Sequence, residues 1–118
     1  MSKKPDKDLS EFKPLLNETD NDLTPKNLIA MAWSLCLNAT VQSILEANKK
    51  DHKSRVTVEA ESKRNKEHGL HYILKAYVAI DGYSEDDTIK LAKMAHRLCP
   101  ISKLIEANEF VSVNYEAY

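Results

Sequence analysis

Cys36 and Cys99 are the two cysteines of this 118-residue chain and the side chains best suited to redox chemistry. Cys36 stands in the apolar run AMAWSLCLNAT. Cys99 is followed by Pro100 and preceded three residues earlier by His96. A thiolate attacks a peroxide oxygen and becomes a sulfenic acid. A second thiol then condenses with it to a disulfide, which an external dithiol reduces. That sequence of steps needs the two Cα atoms within about 4.4–6.8 Å of each other. Other roles are open to the same residues. A cysteine in a buried helix commonly packs as a small hydrophobe, and a cysteine before proline also serves as a plain helix terminator. His96 and Cys99 could reach one metal ion, but structural zinc takes four ligands. The further candidates Cys36, His52, His68 and His71 have no metal-ligand spacing. A Cys–His protease needs an orienting Asn or Asp and an oxyanion hole, and no pattern supplies them. No phosphate loop of the G-x-x-x-x-G-K or G-x-G-x-x-G type is present.

The elements that position these thiols follow from the pattern. Residues 1–22 are polar, with both signs of charge and no regular period; they read as a flexible N-terminal arm with one short strand near Phe12–Leu16. Thr24-Pro25 opens a helix, Thr as N-cap and Pro at the first position, which runs to about Lys49. Nineteen residues within it, Asn27 to Leu45, carry no formal charge. The polar Asn27, Ser34, Asn38, Thr40, Gln42 and Ser43 argue against a membrane span and for a helix buried on most sides. Arg55–Glu61 alternates as a strand, residues 64–69 turn, and Leu70–Ile80 forms an antiparallel second strand. Leu70, Tyr72, Leu74, Ala76, Val78 and Ile80 share one face of it. Ser84 caps a second helix ending near Leu98, with Glu85, Asp86 and Asp87 in its first turn and His96 and Arg97 in its last. Cys99-Pro100 breaks it. A short helix over Ile101–Ala107 and a last strand over Phe110–Tyr115 follow. The order predicts an α+β domain over residues 23–118, helices laid on a mostly antiparallel sheet.

Composition narrows the function classes. The length fits one domain. Lys plus Arg (17) against Asp plus Glu (18) leaves no field to draw the molecule to nucleic acid or an anionic membrane. Two cysteines are too few for a disulfide scaffold. Residues 1–13 have no apolar core of a secretory signal, so the expected compartment is cytoplasmic, where thiols stay reduced.

Leu98-Cys99-Pro100-Ile101-Ser102-Lys103, preceded by Ala95-His96, resembles the C-P-x-S-K signature of the OsmC/Ohr family of osmotically inducible and organic hydroperoxide resistance proteins. Thr24-Pro25-Lys26-Asn27-Leu28-Ile29-Ala30 through Cys36 resembles that family's N-P-E-x-L-x-x-A…C helix. The element order agrees over roughly residues 23–115. The resemblance implies an intertwined homodimer with long central helices packed back to back. It implies a thiol peroxidase of organic hydroperoxides, with Cys36 as the peroxidatic and Cys99 as the resolving cysteine. It implies no cofactor or metal, no nucleic acid or membrane partner, and a dithiol reductant such as a dihydrolipoyl group. Two departures stand out: Lys26 replaces the family's glutamate, and no arginine precedes Arg55. An ammonium lacks the planar fork of a guanidinium. These departures suit a second reading, a non-catalytic OsmC-like dimer that binds a small apolar ligand or a protein partner. A third reading is an α+β domain whose cysteines merely pack in separate apolar pockets.

Overall fold

The computed structural model describes residues 24–118. The expected arm over residues 1–22, and the strand near Phe12–Leu16, lie outside the described residues. Thr24 Oγ1 accepts a hydrogen bond from the Asn27 amide at 3.3 Å, and Pro25 takes the first helical position of α1 (Pro25–Ala47). The helix stops short of the expected Lys49, because Lys49 turns into the left-handed region at φ 57° and the Lys50 amide reaches back to the Leu45 carbonyl at 2.8 Å. Ala30, Trp33, Leu37, Val41 and Ile44 recur at helical spacing and form its buried stripe. By length and hydropathy α1 would also cross a membrane, yet this stripe is the centre of the domain's core. The opposite side is bare. Met31 is 48% and Leu35 68% exposed, so a single chain covers α1 on one side and not on most sides, as the sequence suggested. Its inner polar groups are paired. Ser54 Oγ donates to Asn38 Oδ1 at 2.6 Å and accepts from Gln42 Nε2 at 2.7 Å, which pins α1 to the start of the sheet.

The sheet has the order β1-β2-β3. Strands β1 (Ser54–Asn65) and β2 (Gly69–Ile80) pair antiparallel from Ser54↔Ile80 to Asn65↔Gly69. Both run longer than the alternation alone marked. Gly69 takes φ 65° where the turn closes, a conformation glycine adopts freely. Leu74, Ala76, Val78 and Ile80 are buried under the helices, whereas Leu70 and Tyr72, on the same alternation, lie exposed near the hairpin tip. Strand β3 (Val111–Tyr115) pairs with β2 in parallel, Leu74↔Val111 to Val78↔Tyr115. The sheet is therefore mixed. The reason is topological: the helices between Ile80 and Val111 form the crossover that a parallel pairing requires.

Helix α2 (Glu85–Leu98) starts at Ser84, whose Oγ accepts from the Asp87 amide at 3.1 Å. Thr88, Leu91, Ala92 and Ala95 are its buried face. Helix α3 (Pro100–Ile105) follows after one residue, Cys99, and ends before the expected Ala107. Together α1, α2 and the inner face of the sheet enclose one core, and the architecture is α+β with helices layered on a mixed sheet.

Candidate functional site

The two thiols meet where α1, α2 and α3 converge. Cys36 follows Trp33 by three residues on α1, beside the buried stripe, and is half-buried. Cys99 holds the corner between α2 and α3. Pro100 disfavours helical geometry at the preceding residue, and Cys99 accordingly takes extended φ −67°, ψ 124°. The residue closes one helix and opens the next: its amide donates to Ala95 O at 2.8 Å, and its sulfur accepts from the Ser102 amide at 3.5 Å. Cys99 is fully buried.

The corner places Cys99 Sγ 3.2 Å from Cys36 Sγ. Both are free thiols, and a disulfide requires the sulfurs about an ångström closer. One S–H hydrogen bridges them. Donated from Cys99 it favours a Cys36 thiolate; donated from Cys36 it favours a Cys99 thiolate. This juxtaposition removes the reading in which the cysteines pack in separate pockets.

Their electrostatics differ. Burial pushes the Cys36 thiol above its ordinary value, and neighbouring Cys99 pushes it further, against the lowering effect of the Ile101 amide. Burial also acts to raise Cys99, but the Ser102 amide and hydroxyl, Cys36 and the Ile101 amide outweigh it and hold this thiol below its ordinary value. Among the described residues, the influences on both thiols are burial, backbone amides, Ser102 and each other, with no cation. Arg55 is committed elsewhere. It pairs with Glu116 at 3.3 Å, donates to Ala117 O at 3.0 Å and lies 5.0 Å over the Tyr118 ring. Lys26 lies ten residues before Cys36, about 15 Å along the helix axis.

One residue with a part in this site, Trp33, went unassigned at the sequence level. Trp33 Nε1 donates to Ser102 Oγ at 2.8 Å, and both side chains are fully buried. A buried indole N–H needs a partner, but sequence could not say that the partner sat in another helix. His96, from the last turn of α2, lies with its ring centre 6.2 Å from that of Trp33. Its buried Nδ1 has no hydrogen-bond partner among the described residues. No group of three or more metal-ligating side chains converges among the described residues.

A mixed-sheet α+β fold with a dithiol at the meeting point of its helices defines a class of paired-cysteine protein. Residues 18–114 match the OsmC-like protein family, and the chain belongs to that family. It is 31% identical over 108 residues to the organic hydroperoxide resistance protein-like of Mycoplasma genitalium, covering 89% of this chain and 75% of that one. It is 29% identical over 111 residues to the organic hydroperoxide resistance protein-like 2 of Staphylococcus epidermidis, covering 92% and 78%. Its fold matches the crystal structure of the organic hydroperoxide resistance protein OhrB of Bacillus subtilis with a TM-score of 0.69 at 19% identity, covering 80% of this chain and 70% of that one.

Proposed function

We propose that the protein is a thiol-dependent peroxidase that reduces organic hydroperoxides, with Cys36 as the attacking and Cys99 as the resolving cysteine. The 3.2 Å sulfur–sulfur distance carries this reading. Exposure supports the roles: Cys36 is half-buried, while Cys99 is fully buried against Cys36. Once ionised, Cys36 attacks the outer peroxide oxygen. An S–O bond forms, the O–O bond breaks, and the alkoxide takes a proton from water to leave as an alcohol. The Cys99 sulfur then attacks Cys36. An S–S bond forms, the S–O bond breaks, and hydroxide leaves with the Cys99 proton as water. The pair has lost two electrons, which an external dithiol such as a dihydrolipoyl group returns by exchange. For Cys36 the polar stabilisation comes from the Ile101 amide, while the Ser102 amide and hydroxyl act on Cys99.

The functional unit in this reading is the domain of residues 23–118, acting as a cytoplasmic homodimer. Two copies of α1 pack back to back through the exposed face that carries Met31 and Leu35. The test is a titration of the whole protein with cumene hydroperoxide while thiols are counted. The expected result is loss of both thiols at one equivalent of peroxide and their return on adding a dithiol. Survival of both thiols overturns the peroxidase reading and favours the non-catalytic relative that Lys26 suggested.

A further inference from the structure

We propose that Trp33 and Ser102 are positioning residues for the thiol pair. The buried indole N–H of Trp33 occupies the acceptor side of the Ser102 hydroxyl, and this turns the hydroxyl hydrogen onto Cys99 Sγ. The inference rests on the dithiol reading of the same site and adds to it a chain of donors running from α1 through α3 to the buried sulfur.

The geometry supplies the Trp33–Ser102 bond and the Ser102 amide on the sulfur. Trp33 Nε1 lies 2.8 Å from Ser102 Oγ, a short bond between two side chains with no exposed surface. Such a hydroxyl has one hydrogen to give, and an indole N–H can only donate. With the indole filling its acceptor side, the serine presents its hydrogen outward, and the Ser102 hydroxyl acts to lower the Cys99 thiol. The Ser102 amide points at the same sulfur from 3.5 Å. The amide is one donor to Cys99, and in the proposal the hydroxyl, directed by Trp33, is the second. Hydrogen bonds in series polarise one another in a water-free interior. The arrangement also ties the reactive sulfur to the core, because Trp33 belongs to the central stripe of α1. The titratable groups facing this cluster are Cys36 from α1 and His96 from α2, whose ring lies against Trp33. Lys103 of α3 is exposed.

The test follows the ultraviolet absorbance of the Cys99 thiolate against pH in the full chain carrying Cys36→Ser. Ser102→Ala is expected to lower the thiolate population at neutral pH about tenfold, the size of one hydrogen bond to a charged group. Ser102→Thr keeps the hydroxyl and is expected to restore the wild-type curve. Trp33→Phe is expected to shift the curve the same way by a smaller factor, and to add nothing once Ser102 is alanine. A purely structural tryptophan would act equally in both backgrounds. An unchanged curve in Ser102→Ala, or an equal Trp33→Phe effect with and without Ser102, overturns the proposal. The chain has one tryptophan, so a measurement without mutation in the core is also available. The indole N–H resonance of the Cys36→Ser protein is expected to move with the same midpoint as Cys99, and a flat resonance overturns the proposal. These titrations contain no peroxide. Their failure counts against the positioning role alone, whereas thiols that survive peroxide count against the peroxidase reading alone.

Discussion

Cys36 and Cys99 lean on each other unequally. Burial raises Cys36 most, and Cys99 adds to it as a hydrogen-bond partner and as a like charge. Cys99→Ala removes the two contributions of Cys99 and leaves burial. The Cys36 pKa therefore falls, and alkylation of Cys36 followed against pH is expected to start at lower pH than in the native protein. The same variant, treated with hydroperoxide, is expected to halt at a sulfenic acid, seen by intact mass as one added oxygen. At this scale the sequence disclosed the reacting types and little of their surroundings. A cysteine in an apolar helix and a cysteine before proline are readable from neighbours a few positions away. The Trp33–Ser102 bond spans 69 positions, and nothing local distinguishes that indole from an ordinary core aromatic. The commitment of Arg55 to Glu116, Ala117 and Tyr118 was hidden for the same reason.

Among the elements, the corner at Cys99-Pro100 does the most to aim the chemistry. Pro100 is the first residue of α3 and is exposed, so alanine fits there without a clash. Pro100→Ala is expected to cost about 0.4–1 kcal/mol through the freer unfolded chain, measurable by denaturant unfolding. It also lifts the restriction on Cys99, lets α2 run on, and is expected to slow disulfide closure after peroxide. Helix starts and strands were legible because their signals are local: Thr24 and Ser84 as caps, alternation along β1 and β2. The pairing direction of β3 was not, since Val111–Tyr115 carries no mark of the neighbour it joins. Nor did alternation reveal that Leu70 and Tyr72 would stand bare, because it sets which face a residue occupies but not how far the helices extend over that face.

For the molecule as a whole, the open question in the fold is what covers α1. Its outer face shows Leu28, Ile29, Met31 and Leu35 to solvent in the single chain, more apolar surface than a lone helix usually leaves uncovered. Sedimentation at micromolar concentration is expected to give twice the 13.4 kDa chain mass, and Leu35→Glu is expected to shift it to a single chain. A native protein that sediments only at 13.4 kDa would overturn the back-to-back arrangement. The absence of charge from Asn27 to Leu45 made this face conspicuous in the sequence. The shared cap at Cys99 has a consequence for the proposed cycle. If Cys36 and Cys99 join, drawing the Cys99 sulfur toward Cys36 takes it from the Ser102 amide at 3.5 Å, so α3 is expected to keep its cap when the protein is reduced and to lose it when oxidised.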